Sequence, residues 1–140
     1  MARNWKIICC PVDFSEPTRG ALGVAADLCG RLGSSLVLLH VDGARKVAEE
    51  LPAGESVDAS LAAWKAEAER LGAATVVVQR AYGQPELAIV HYAARNGVDL
   101  LVMGTHGRTD REKMLAGSVT ESVVRNAGCP VLTVHPRDVG

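Results

Sequence analysis

No sign of charge predominates in this chain: Lys and Arg number 15 against 16 Asp and Glu, a formal net charge of -1 over 140 residues. That balance, with no block of one sign, argues against a nucleic-acid binder, which needs a basic stripe to meet phosphates. Long apolar runs are missing too, and nothing approaches the roughly 18 residues of a membrane-spanning helix. The opening Met-Ala-Arg-Asn-Trp-Lys leads straight into a strand-like run rather than through the apolar core of a signal peptide. A cytoplasmic location is expected, with neither nucleic acid nor membrane as partner. The four cysteines, at 9, 10, 29 and 129, form no C-x-x-C and no paired Cys/His zinc spacing. Cys9 and Cys10 are adjacent in a strand pattern, so their side chains point to opposite faces and cannot easily bond each other. All four read as small buried hydrophobes, since the sequence around Cys129 supplies no charge to activate it as a redox sensor.

What is present is a chain long enough to bury roughly two thirds of its unfolded surface without a disulfide or metal. One domain over residues 1–140 is the most economical reading. Short apolar runs occur at 6–12, 36–41, 75–79, 99–103 and 131–134. Several are continuous rather than alternating, as strands buried on both faces of a parallel sheet require. Helical spacing separates them: Leu22, Ala25, Ala26 and Cys29; Leu61, Trp64, Ala68 and Leu71; Leu87, Val90 and Ala94; Val119, Val123 and Ala127. Ser15 and Pro17 can open the first helix, Gly33 can close it, and Pro85 suits a first turn. Ser118-Val-Thr-Glu121 reads as a capping box. Five strands alternating with four helices predict right-handed βαβ units and an open, doubly wound α/β sheet with helices on both faces, for which the order 3-2-1-4-5 is expected. Residues 42–55, with Gly43, Pro52 and Gly54, read as a surface excursion.

In such a sheet, ligands bind beyond the carboxyl ends of the strands, where strand order reverses. The order 3-2-1-4-5 sets Asp13, after the first strand, across one crevice from Gly104, after the fourth. Gly104 and Gly107 form a Gly-x-x-Gly turn whose backbone N–H groups can face an anion with no Cβ in the way. Gly117 would open a helix whose free amides and dipole favour a phosphate, and Ser118 and Thr120 add hydroxyls at that end. Neither G-x-x-x-x-G-K-[ST] nor G-x-G-x-x-G is present, which excludes the usual P-loop and dinucleotide sites.

The run from Gly104 through Gly107 to Gly117-Ser118 fits G-x2-G-x9-G-(S/T), and with it the chain resembles the universal stress proteins. Pro11-Val-Asp-Phe-Ser15, Leu39-His-Val41, Asp99-Leu-Leu-Val-Met-Gly-Thr-His-Gly-Arg108 and Cys129-Pro-Val-Leu-Thr-Val134 are similar to that family's landmarks, so the likeness runs nearly end to end. It implies an adenine-nucleotide binder, of ATP, ADP or AMP, usually a homodimer. By matching positions, Pro11, Val12 and Asp13 fall at the adenosine, with Asp13 in contact and the Val41 backbone at the adenine edge. Met103 and Gly104 would line the ribose, while Gly107, Arg108, Gly117, Ser118, Val119 and Thr120 would receive the phosphates. His106 joins that set, or serves only as a solvated spacer between glycines. Asp13 and Ser118 also have a plain reading as helix caps. The departure is in the phosphate loop, where Asp110 and Glu112 beside Arg108, Arg111 and Lys113 leave residues 104–117 with a formal charge of +1. Two carboxylates repel a triphosphate unless they turn outward or hold Mg²⁺.

A regulatory, stress-responsive nucleotide binder is the leading expectation. Efficient phosphoryl transfer is not expected, because Asp13 is at the wrong end of the nucleotide and no lysine follows a Gly-rich turn; slow ATP hydrolysis is the most that fits. A dimeric interaction module with a vestigial site is the alternative, paired through the edge strand that begins at Pro130 and ends at Val134. A phosphoacceptor receiver domain is set aside, since the third strand ends at Gln79-Arg80 and not at an aspartate. His40, His91 and His135 read as strand-end or surface residues.

Overall fold

Among the described residues, strands and helices alternate: β1 (Ile7–Pro11), α1 (Glu16–Leu32), β2 (Ser35–Asp42), α2 (Val57–Arg70), β3 (Thr75–Tyr82), α3 (Pro85–Arg95), β4 (Leu100–Gly104), α4 (Lys113–Asn126) and β5 (Val131–Val134). They come from a computed structural model that describes residues 4–43, 56–105 and 113–135, with 113–118 as helical backbone alone. The strands form one sheet of the expected order, β3-β2-β1-β4-β5, with every pair parallel as the alternation requires. Pairing runs Ile7 to Ser35 through Pro11 to Leu39 on one side of β1, and Ile8 to Leu100 on the other.

Each face of the sheet carries its own core. Ile8, Cys10, Leu36, Leu38 and Val102 pack under Leu22, Ala25, Ala26 and Cys29 of α1 and under Leu61, Trp64 and Ala68 of α2. Cys9, Val37, Leu39, Leu101 and Met103 pack under Ile89 and Ala93 of α3 and Val123 of α4. Cys9 and Cys10 therefore do face opposite ways, as strand alternation dictates.

The helix ends behave largely as their residues demand. Ser15 stands at the N-cap of α1 with Pro17 in the first turn, and Gly33 closes that helix in the left-handed region, φ 72°. Ser56 caps α2 by accepting from the Ala59 N–H at 3.0 Å. Leu71, expected on the apolar stripe of α2, stands past its end at the C-cap and is exposed. Two larger expectations also fail. The buried stripe of α3 is Ile89 and Ala93, not Leu87, Val90 and Ala94, and Leu87 is exposed. With apolar residues nearly all round, this helix fits more than one stripe, and the sheet beneath selects. Second, α4 begins at Lys113, so Gly117 and Ser118 lie in its second turn and the Ser118–Glu121 pair is not a cap. Lys113, Met114, Leu115 and Ala116 are all strong helix formers and carry the helix upstream of the glycine.

Candidate functional site at the strand carboxyl ends

Because β1 lies between β2 and β4, its carboxyl end faces one neighbour reached through α1 and another reached through α3 on the opposite face. Pro11, Val12 and Asp13 therefore share a rim with Val41 of β2 and with Met103 and Gly104 of β4. His106, Gly107, Arg108, Asp110 and Glu112 lie outside the described residues, as does the formal charge reckoned for that loop.

Asp13 is held hard. Its Oδ1 accepts from the Ser15 N–H at 3.0 Å, from the Ser15 hydroxyl at 2.5 Å and from the Thr18 hydroxyl at 2.5 Å. Such a carboxylate is an acceptor with two oxygens, and all three of these bonds fall on one of them. The cap reading of Asp13 thus holds in part: it braces the entry to α1, and Ser15 turns its hydroxyl to Asp13 rather than to the helix amides. The next residue, Phe14, is the one non-glycine at positive φ among the described residues, at 65°. Holding a bulky residue there costs about 1–3 kcal/mol. Its ring stacks on His40 with centroids 4.9 Å apart and meets Trp64 edge-on at 5.5 Å, which offsets part of that cost.

His40 corrects the sequence reading. It is not a surface residue but only 3% exposed, and it does stand near a carboxylate. Its Nδ1 lies 2.9 Å from the Val12 carbonyl oxygen. A carbonyl can only accept, so the network assigns a proton to Nδ1, and Nε2 is the ring nitrogen left for other partners. That Nε2 is buried, has no hydrogen-bond partner among the described residues and lies 3.6 Å from Asp42 Oδ1. Asp42 is in turn gripped by Arg80, Nε to Oδ2 and Nη2 to Oδ1, both at 2.9 Å, while Arg80 Nη1 reaches Asp58 at 3.0 Å. The hydrogen bonds that Arg80 donates to Asp42 push the guanidinium pKa further above its ordinary range. Periodicity alone could not reveal this network. The signal was a histidine inside the otherwise apolar run Leu36-Val-Leu-Leu-His-Val41, since a polar group buried there must find partners.

The β4 end is packed rather than open. A Cβ built on Gly104 would stand 2.9 Å from the Pro17 carbonyl oxygen, so the close approach of α1 to β4 already demands glycine. Thr120, buried on α4, donates its hydroxyl to the Gly104 carbonyl at 2.8 Å. Beside it a recess of about 440 Å³ is lined by Thr105, Thr120, Glu121, Val124, Arg125 and Thr133. Among the described residues, the one expected binding residue lining that recess is Thr120; Asp13, Val41 and Met103 lie elsewhere on the rim. Val119 packs against the core beneath α4.

Burial pushes the thiols of Cys9 and Cys10 well up and that of Cys29 to about 11, so none is poised as a nucleophile. Among the described residues no three His, Cys, Asp or Glu side chains gather to hold a metal ion, and no helix is long and apolar enough to cross a membrane.

Comparison with known proteins adds to this geometry. The model of the universal stress protein family matches residues 4–135. Universal stress protein MJ0531 of Methanocaldococcus jannaschii is 33% identical over 141 residues, covering 93% of this chain and 82% of its own. The solved structure of MJ0577, a universal stress protein of the same organism, superposes with a TM-score of 0.79 at 31% identity, over 95% of this chain and 97% of its own. A universal stress protein crystallised in complex with cAMP has the same fold, with a TM-score of 0.79 at 23% identity over 95% and 99%.

Proposed function

The chain belongs to the universal stress protein family, and from that premise we propose that it is a cytoplasmic adenine-nucleotide binder that works by changing shape or partner surface. The observation that carries this reading is the rim around Asp13. Three donors fix one carboxylate oxygen, and the carboxylate stands beside the backbone ends of β2 and β4. The held carboxylate then offers Oδ2 to an N–H or O–H of adenosine. The Val41 backbone holds the adenine edge, and Met103 and Gly104 line the ribose side. The phosphates of ATP, ADP or AMP would extend toward Gly107, Arg108 and the first turns of α4, with Mg²⁺ carried on the phosphates. The cAMP bound by a relative of the same fold supports the ligand class. Fast hydrolysis is not part of the proposal, since the carboxylate sits at the adenosine end.

The same reading includes a homodimer paired through β5, whose Leu132 is an exposed apolar side chain on an edge strand. Light scattering should find a dimer, and Leu132→Lys should give monomers.

A second reading, the interaction module with a vestigial site, has one observation in its favour. Gly104 and Thr120 are both accounted for by packing and an internal hydrogen bond. One experiment separates the two. The protein is purified without added ligand and denatured, and the released small molecules are identified by chromatography and mass. Stoichiometric ATP, ADP or AMP supports the first reading. An empty protein that also shows no thermal shift with millimolar Mg-ATP supports the second.

A further inference from the structure

Arginine–carboxylate pairs occur elsewhere in the described residues, but Arg19–Glu16, Arg31–Asp27 and Arg70–Glu67 each stay within one helix. Arg80 does not. It leaves the edge strand β3, takes both oxygens of Asp42 at the end of β2, and reaches Asp58 in the first turn of α2. Asp42 is held at its backbone too, where its carbonyl accepts from the Gly83 N–H at 3.1 Å.

Two chains of contact run from Asp42 to the rim. Val41 is its immediate neighbour, so a fixed Asp42 fixes the peptide between them. On the other side, Asp42 Oδ1 stands over His40 Nε2, and His40 Nδ1–H holds the Val12 carbonyl. The Val12 N–H is itself bound to the Leu39 carbonyl at 2.9 Å. Without Arg80, a carboxylate only 19% exposed would lose the donors on both of its oxygens, and the strand ends would have to shift to satisfy it.

We infer that Arg80 is a positioning residue of the base-binding rim: by gripping Asp42 it fixes the backbone at Val41 and, through His40, at Val12, and so sets a preference for adenine. This rests on the nucleotide-binding reading above and adds to it a residue that touches no ligand. The fork matters as well as the charge, because only a guanidinium can satisfy both Asp42 oxygens and Asp58 at once.

The test compares ATP with GTP, which share ribose and phosphates and differ only in the base. Dissociation constants are measured by calorimetry with Mg²⁺, and folding is checked by thermal melting. Arg80→Gln should weaken ATP about tenfold and change GTP less than about twofold, so that the ATP-over-GTP preference collapses. Arg80→Lys should fall between, because it keeps the charge and loses the fork. Arg70→Gln, which breaks a two-bonded pair remote from the rim, should keep the parent ratio. A folded Arg80→Gln with the parent ratio, or with both nucleotides weakened equally, overturns the inference. Should that variant fail to fold, Asp42→Asn carries the same decision, and a folded Asp42→Asn with the parent ratio overturns it. A parent protein that binds neither nucleotide overturns the underlying reading and this one together. A parent that binds ATP while Arg80→Gln keeps its preference overturns this one alone.

Discussion

The two ends of the rim are built on different principles. At the β1–β2 end, polar groups are held by other side chains: Asp13 by Ser15 and Thr18, Val12 by His40, Asp42 by Arg80. At the β4 end, backbone meets backbone: Gly104 lies against the Pro17 carbonyl, and the Thr120 hydroxyl binds the Gly104 carbonyl. The first end is a set of pre-oriented hydrogen-bonding groups, the kind of surface that discriminates one base edge from another. The second is a close-packed joint between α1 and β4. A glycine motif read as room for a ligand is, at its first glycine, room for the protein's own helix.

Four substitutions probe that contrast. Gly104→Val should do the most damage, because a branched side chain must displace a backbone carbonyl; a loss of about 3 kcal/mol in urea unfolding is expected. A loss under about 1 kcal/mol would mean that α1 yields, and that the glycine is there for something other than packing. Asp13→Ala removes the acceptor for three donors and should cost about 2 kcal/mol of stability together with nucleotide affinity. Lost stability with unaltered affinity would reduce Asp13 to a brace for α1. Thr120→Val orphans the Gly104 carbonyl and should cost about 1 kcal/mol, with nucleotide affinity changing less than stability, since the hydroxyl proton is already spent inside the protein. A large affinity loss with intact stability would instead move Thr120 into direct phosphate contact. Phe14→Asn should be nearly neutral, within about 1 kcal/mol, because relief of the positive φ roughly balances the lost ring stack. Thermal and urea melts suffice for this last comparison.

Much of this could be read along the chain. The alternation of apolar runs with helical spacing gave five strands, four helices and their parallel, right-handed crossovers, while the expected order 3-2-1-4-5 is one of the few that such crossovers allow. Gly33, Pro17 and Pro85 act where their backbone preferences place them. The stripe of α3 was not legible, because Leu87, Ile89, Val90 and Ala93 offer competing faces and hydrophobicity alone does not rank them. The start of α4 was misplaced for a related reason: a capping-box pattern is local, while the four helix formers before it extend the hydrogen-bond ladder through the glycine.

The residues themselves determined the layer architecture, the family and the rim where Asp13, Val41 and Gly104 meet, because period, turn chemistry and motif order are properties of the chain. Only the tertiary structure decided what those residues spend their hydrogen bonds on. Asp42 and Arg80 are 38 positions apart, His40 and Val12 are 28, and Gly104 and Pro17 meet only when α1 crosses β4. Contacts between residues so far apart in sequence leave no periodic trace, and it is the packing of one element on another that assigns them.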